Sequence, residues 1–326
     1  MIVTVATVVV LVIGVLSLGL ALYGGFISTT IMEGLEQGSE KRHQSEQRYY
    51  LLGMIGIIAL SSRVLIAPIF FWMLQSLVPY CPGAMCSYGV VNVSSPYSDI
   101  ATMLKLLLPF AYGAWLVIEL ANRREPALPL MRSLARSFVI LLLPLVIIDS
   151  AADIFIVAAM RPVYAPCCSS VYDVDPPFSP SAILGPEFGM LMLIVTIALI
   201  LVLIGIQWSE RYSERVPFFT LILSALVSVL YLVMLHDTYA PLVLGLSNHH
   251  CPYCLFQEFP DTAFFSGLFW FGVATAGWRV ILEIVWKIRD IPTESIMSIS
   301  NILRKTSSVA LLFSLVSILS HLSMLI

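Results

Sequence analysis

The chain carries little charge for its length. Only 11% of its 326 residues are charged, with 17 Lys and Arg against 20 Asp and Glu, so the formal net charge is −3. An ordinary soluble domain has roughly a quarter of its residues charged, so this scarcity excludes a soluble enzyme. It also excludes a nucleic-acid partner, since proteins that bind nucleic acid present a basic patch. No GxxxxGKS or GxxxxGKT pattern occurs, which argues against ATP-driven chemistry within the chain.

The chain instead contains long apolar stretches. A helix needs about 20 mostly apolar residues to cross the hydrocarbon core of a bilayer, and 59% of the chain is hydrophobic. The stretches that qualify are 3–29, 49–79, 100–121, 137–160, 187–208, 217–240, 263–286 and 307–326. Because the connections are short, we expect one all-α domain over 1–326, a polytopic bundle of about eight transmembrane helices in the lipid bilayer.

Basic residues orient the predicted bundle. Among the connections, the odd-numbered ones carry every Lys and Arg except Arg161. Because these residues concentrate in cytoplasmic loops, we expect both termini outside the cytoplasm and the odd-numbered connections inside. Within the last inner connection, 293–304 has one apolar face, which predicts either a short helix on the inner membrane surface or an amphipathic linker with no further role.

The middle six spans have the pattern of three related hairpins, over 49–121, 137–208 and 217–286. Each outer connection begins with a Tyr-x-Pro tripeptide, and each following span ends with a Gly, a Trp and an acidic residue. Recurrence of this kind is typical of a repeated structural unit, so we expect three copies of one hairpin.

All the cysteines lie in the three predicted outer connections. They form the pairs Cys81/Cys86 (CPGAMC), Cys167/Cys168 (CC) and Cys251/Cys254 (CPYC). Two histidines, His249 and His250, directly precede Cys251. Cysteine is tolerated as a small apolar residue inside spans, so its concentration here indicates that the extracytoplasmic loops are the functional end.

Three chemistries would use such a concentration, and the first is covalent stapling. Disulfides persist on the outer side of a membrane, and bridges within or between the loops would pin the hairpins together. No loop is large enough for a catalytic domain. A stapled chain would therefore act as an accessory subunit of a larger membrane complex.

The second chemistry is thiol–disulfide exchange. Cys251-Pro252-Tyr253-Cys254 is identical to the dithiol motif of glutaredoxins. A CxxC just before a hydrophobic helix also resembles the membrane-embedded vitamin K epoxide reductase and disulfide-bond-forming families. That resemblance implies a quinone near the CxxC and a second pair, Cys81/Cys86 or Cys167/Cys168, that passes electrons to an outer-face redox partner.

The residues around the CPYC motif favour a reactive thiol on physical grounds. A helix N-terminus and a neighbouring imidazolium both lower the pKa of a thiol, and His249 and His250 lie where they can act so. We expect Cys251 to be the more exposed, attacking thiol and Cys254 to resolve the mixed disulfide.

The third chemistry is metal binding. His249, His250, Cys251 and Cys254 supply imidazole and thiolate donors within six residues, a donor set that suits Cu(I) or Zn. The sequence therefore also predicts a membrane protein that binds or transports a transition metal, with Cys167 and Cys168 as a second soft site.

Charged residues also fall inside the predicted spans. Arg63 lies in the second, Lys105 in the third, and Asp149 and Asp153 lie four residues apart on one face of the fourth. Each costs roughly 2.5–3.5 kcal/mol at mid-membrane, so we expect them to face inward and pair as Arg63–Asp149 and Lys105–Asp153. Such pairs would lock three helices together, and a proton or ion pathway is the alternative.

Overall fold

The computed structural model describes residues 2–35, 39–124, 128–166, 168–173, 179–209 and 216–324. Within these ranges every regular element is a helix and none is a strand. Helices long and apolar enough to cross a membrane cover Val5–Gly34, His43–Tyr80, Tyr97–Asn122, Leu130–Ala159, Pro186–Trp208, Pro217–Leu244, Pro260–Ile288 and Glu294–Met324. These eight spans confirm the predicted all-α polytopic bundle, and the protein is an integral multi-pass membrane protein.

The helices are labelled α1 to α14 in chain order. Those that build the spans are α1 (Val5–Leu35), α2 (Ser39–Leu77), α4 (Tyr97–Asn122), α5 (Leu128–Ser137), α6 (Leu143–Ala159), α9 (Pro186–Trp208), α10 (Val216–Met234), α11 (Ala240–Leu244), α13 (Pro260–Ile288) and α14 (Met297–Met324). Those that lie in the connections are short, namely α3 (Ser87–Val93), α7 (Ser169–Tyr172), α8 (Pro180–Leu184) and α12 (Pro252–Glu258).

Two spans change their winding directly before a proline. Phe138–Leu142 and Leu235–Tyr239 are π-helical, and α6 and α11 follow them with Pro144 and Pro241 in their first turns. Proline lacks an N–H, and its ring clashes with the carbonyl four residues earlier in a regular α-helix. A wider turn before the proline relieves that clash. Pro68 and Pro109, by contrast, lie inside uninterrupted α-helices.

The prediction of a surface helix at 293–304 is wrong. The 3₁₀ turn Thr293–Ile296 leads directly into α14, which continues to Met324. No Gly or Pro after Pro292 interrupts the helix. Five of its serines are buried, and Ser307 donates a hydrogen bond to the carbonyl of Gly272 at 2.7 Å. The apolar residues of this stretch therefore belong to the last span.

The chain forms two compact units, of which the first consists of Met1–Tyr80, Val91–Val163 and Val285–Ile296. Within it α1 packs against α2 and α6, and α4 packs against the same two helices. Gly56 allows one close approach, because a Cβ there would lie 2.5 Å from the ring of Trp115. The helices of this unit thus enclose a continuous apolar core.

The second unit consists of Cys81–Val90, Tyr164–Ile284 and Met297–Ile326. Here α9 packs against α10 and α14, and the rings of Tyr231 and Phe269 stack with their centroids 3.7 Å apart. All the described cysteines belong to this unit. The single domain and the three hairpin repeats stay predictions.

Candidate functional site

Two loops of the second unit are joined next to the cysteines. The N–H of Ala165 donates a hydrogen bond to the carbonyl of Pro82 at 2.8 Å, which links the loop of Cys86 to the loop of Cys168. Gly83 permits this approach, since its φ is +82° and a Cβ there would lie 2.7 Å from the Ala165 carbonyl oxygen. Glycine adopts this backbone conformation without strain, so the residue type at 83 helps to bring two remote cysteines together.

The CPYC motif forms the beginning of α12. Cys251 is the N-cap residue, Pro252 lies in the first turn, and Cys254 follows three residues after Cys251. Proline is favoured in the first turn because an N–H there has no partner within the helix. Residues three apart lie on the same face of a helix, so the motif presents two thiols to one side.

Four thiols meet in the second unit. The Sγ atoms of Cys86, Cys168, Cys251 and Cys254 all lie within 4.8 Å of one another, and we call these residues the four-thiol cluster. The contacts Cys168–Cys254 and Cys86–Cys251 measure 3.3 Å and 3.9 Å. A disulfide bond is about 2.05 Å long, so the four residues are free cysteines.

Tyrosine rings surround the four-thiol cluster. Three of its cysteines are at most 2% exposed, whereas Cys254 is half-buried. Tyr88, Tyr172 and Tyr253 pack against the cluster, and the centroids of the first two rings lie 5.1 Å apart. Burial raises the pKa of the Tyr172 hydroxyl, which keeps this ring neutral. The sulfurs therefore lie in surroundings of low polarity, where charge–charge interactions are stronger than in water.

The thiols differ in how readily they lose a proton. Hydrogen bonds from Cys251 and Cys254 lower the pKa of Cys168 below that of an ordinary thiol, and the charge of His249 adds a smaller effect in the same direction. Hydrogen bonding to Cys168 raises the pKa of Cys251. The thiolate of Cys168 thus forms more easily than that of Cys251. A bound cation would stabilise further thiolates, because metal binding displaces protons from its ligands.

The two histidines of the predicted metal site do not join the cluster. His249 Nδ1 lies 2.5 Å from Asp173 Oδ1, and His250 Nδ1 lies 3.1 Å from the backbone carbonyl oxygen of His236. Both rings therefore have other partners. Two thiols from remote loops, and not these sequence neighbours, complete the group around Cys251.

The prediction that Cys251 is the more exposed thiol of the motif is wrong. Cys251 has no exposed surface, whereas Cys254 is half-buried. At the N-cap position, Cys251 lies before the first turn and contacts the buried Cys86. Cys254 lies one turn later, and it is the thiol that reagents from solvent reach first.

The remaining two cysteines are not part of the described cluster. Cys81 is buried elsewhere in the second unit, and burial raises the pKa of its thiol. Cys167 lies outside the described residues. Cys86 contacts Cys251, so only one member of the pair Cys81/Cys86 belongs to the cluster, whereas Cys251 and Cys254 both do.

Four charged residues of the first unit, Arg63, Lys105, Asp149 and Asp153, form one network. Lys105 Nζ lies 2.5 Å from Asp149 and 2.8 Å from Asp153. Arg63 lies 2.5 Å from Asp153 and 3.4 Å from Asp149. Their side chains are at most 2% exposed, and their formal charges cancel. Each cation therefore contacts both carboxylates, where the sequence predicted two separate pairs.

One hydrogen-bonded chain was not predicted from the sequence. The hydroxyl of Tyr239 lies 2.7 Å from Nδ1 of His321, whose Nε2 lies 2.8 Å from Asp261 Oδ2. The only signal for it is that the three residues lie near span ends on the same predicted side of the membrane. The contact ties three helices of the second unit together.

Comparison of the chain with protein-family models, curated proteins and solved structures finds no match. The resemblance to membrane thiol oxidoreductases therefore stays a prediction, and so does the quinone that it implies. A function has to be argued from the chemistry of the four-thiol cluster itself.

Proposed function

We propose that this membrane protein binds one soft metal ion, with Zn²⁺ as the best fit, through the four-thiol cluster of its second unit. The observation that carries the proposal is the convergence of four Sγ atoms within 4.8 Å of one another. These thiols come from three separate chain segments, so their meeting is a property of the fold and not of one motif.

The spacing of the sulfurs supports a tetrahedral site. A zinc–thiolate bond is about 2.3 Å long, which places the sulfurs of a regular tetrahedron about 3.8 Å apart. The contacts Cys168–Cys254 and Cys86–Cys251, at 3.3 Å and 3.9 Å, bracket that value, and all the sulfurs lie within 4.8 Å of one another. An iron–sulfur cluster holds several atoms between its cysteines and needs wider spacing. Tetrahedral sulfur coordination therefore favours a single ion such as Zn²⁺.

The ligand set also indicates what kind of zinc site this is. Catalytic zinc keeps one coordination position open for water or substrate, whereas structural zinc is closed by four protein ligands. Four cysteines leave no open position. The ion would hold the loops of Cys86 and Cys168 to the start of α12, and its binding energy would stabilise the second unit.

Elemental analysis of the full-length protein, purified in detergent without chelator, tests this proposal. We expect about one zinc per chain, and its loss in Cys86→Ser and Cys254→Ser. Cys81→Ser is the matched control, because it removes a buried cysteine outside the cluster and should keep the metal. Protein that contains no metal and takes up none from a zinc solution would contradict the proposal.

Thiol–disulfide exchange with an outer-face redox partner is the second candidate. The half-buried Cys254 and its 3.3 Å contact with Cys168 favour it, because exchange needs an accessible thiol with a second thiol close by. The excess of basic residues in the odd-numbered connections further supports an extracytoplasmic, oxidising location for the cluster. Protein purified without reductant would then contain cluster disulfides and no metal. The accessory-subunit hypothesis stays a prediction.

A further inference from the structure

We infer that the proposed metal centre is opened by oxidation, and that small peroxides release its ion by closing a disulfide between Cys168 and Cys254. This inference rests on the proposed function, since it requires a metal to release. It assigns different roles to the four ligands, although all four have the same chemistry.

Accessibility separates one ligand from the others. Cys254 is half-buried, whereas the other three members of the four-thiol cluster are at most 2% exposed. Oxidation of a cysteine follows its exposure and its thiolate character. A metal-bound Cys254 is held as a thiolate, because metal ligands must be deprotonated. A small oxidant from solvent therefore meets Cys254 first.

Proximity then selects the partner of the oxidised cysteine. Cys168 Sγ lies 3.3 Å from Cys254 Sγ, closer than the 3.9 Å that separates Cys86 from Cys251. This contact places the Cys168 sulfur for attack on an oxidised Cys254 in the second step.

The reaction balances with hydrogen peroxide as the two-electron oxidant. The Cys254 thiolate attacks one peroxide oxygen, the O–O bond breaks, and the leaving hydroxide takes a proton to give water. The Cys168 thiolate then attacks the sulfenic sulfur of Cys254 and expels a second hydroxide, which is also protonated. Two thiolates, one peroxide and two protons thereby become one disulfide and two waters.

Closing this disulfide removes half of the ligand set. The metal keeps its oxidation state, but only Cys86 and Cys251 remain to bind it. Two thiolates hold zinc far more weakly than four, so the ion dissociates and protons or solvent replace it. The loop of Cys168 is then bonded directly to α12, while the loop of Cys86 loses its attachment through the metal. Oxidation would therefore change how the loops of the second unit are held together.

The test uses full-length protein in detergent with Cys81→Ser and Cys167→Ser, so that only the four clustered cysteines remain. Hydrogen peroxide is added in steps, released zinc is read with a chromogenic chelator, and disulfides are mapped by mass spectrometry. We expect zinc release to follow peroxide at about one equivalent, with Cys168–Cys254 as the first disulfide. Metal that stays bound in excess peroxide, or a first disulfide between Cys86 and Cys251, would overturn the inference.

Cys254→His separates ligand loss from disulfide formation. Histidine is an accepted zinc ligand alongside three cysteines, but it cannot form the disulfide. We expect this variant to bind zinc and to release it with peroxide about tenfold more slowly than the parent. Release at the parent rate would count against Cys254 as the point of attack. Absence of metal from the untreated parent would instead disprove the proposed function, so the two failures are distinguishable.

Discussion

The two units bury different kinds of polar chemistry. In the first unit, Arg63 and Lys105 each contact both Asp149 and Asp153, so two positive and two negative charges neutralise one another. In the second, four thiols share one space. Once deprotonated, the thiols would repel each other, because the cluster itself contains no cationic side chain. The charges of the network cancel within the protein, whereas the negative charges of deprotonated thiols would need a bound cation to neutralise them.

This difference assigns separate roles to the two regions. Burying an ion pair gives little net stability, but breaking one leaves an uncompensated charge in a poorly solvating place. The network of the first unit connects α2, α4 and α6 through side-chain ion pairs. A cluster of free thiols has no comparable internal reason to converge, so a bound ligand or a redox reaction explains it better.

The largest expected effect is the loss of one member of the charge network. Arg63→Leu leaves the two carboxylates with only Lys105, and removal of one partner from a buried pair costs about 3–5 kcal/mol. Chemical unfolding in mixed micelles measures this loss. The double variant Arg63→Leu/Asp153→Leu restores neutrality and should be more stable than Arg63→Leu alone. Arg161→Gln, at an exposed position, is the control and should change stability by less than about 0.5 kcal/mol.

Metal removal comes next and should affect the second unit. A ligand present at 100 times its dissociation constant stabilises the folded state by about 2.7 kcal/mol, so a strong chelator should lower the thermal midpoint of the wild-type protein. Cys251→Ser should start from the lower midpoint and show no response to chelator. Arg63→Leu should keep the response, because its lesion lies in the other unit. Equal shifts of the thermal midpoint with chelator in wild type and Cys251→Ser would contradict the claim that metal at the four-thiol cluster stabilises the second unit.

Gly83→Ala should have a smaller effect. It tests whether the backbone conformation at residue 83 influences zinc affinity. The added Cβ would lie 2.7 Å from the Ala165 carbonyl oxygen at a φ of +82°, and strain of this kind costs about 1–3 kcal/mol. We expect zinc affinity, measured by competition with a chelator, to fall by about tenfold. Gly205→Ala is the matched control, because nothing lies within 4 Å of a Cβ there. Unchanged affinity in Gly83→Ala would mean that the loop contact does not position Cys86.

The smallest effect is expected for His249→Gln. This side chain contacts Asp173 and is not part of the four-thiol cluster, and a partly exposed ion pair contributes at most about 1 kcal/mol. Elemental analysis should find the same zinc content as in wild type. Loss of zinc in this variant would restore His249 as a ligand and would remove one of the four cysteines from the proposed site.

The sequence predicts the spans well because crossing a bilayer is a local requirement. Each span needs its own run of apolar residues, and each can be read without knowing where the others lie. Proline positions are also read locally, as Pro144 and Pro241 illustrate. The stretch 293–304 was misjudged because its apolar face suits either a membrane surface or a neighbouring helix.

The sequence predicts that cysteines form the site, but it does not predict which residues meet there. Cys251 and Cys254 are marked by their motif, but Cys86 lies 165 positions before Cys251 in the sequence and meets them only in the folded chain. The loop of Cys86 is joined to the loop of Cys168 by the Ala165–Pro82 hydrogen bond next to Gly83, and neither feature forms a recognisable motif. Proximity in the sequence instead favoured His249 and His250 as ligands.

X-ray absorption at the zinc edge, on the purified full-length protein, tests the central claim most directly. It reports the element, number and distance of the atoms bound to the metal. We predict four sulfur neighbours at about 2.3 Å and no nitrogen or oxygen in the coordination shell. Imidazole nitrogen among the neighbours, or fewer than four sulfurs, would contradict the assignment of Cys86, Cys168, Cys251 and Cys254 as the complete ligand set.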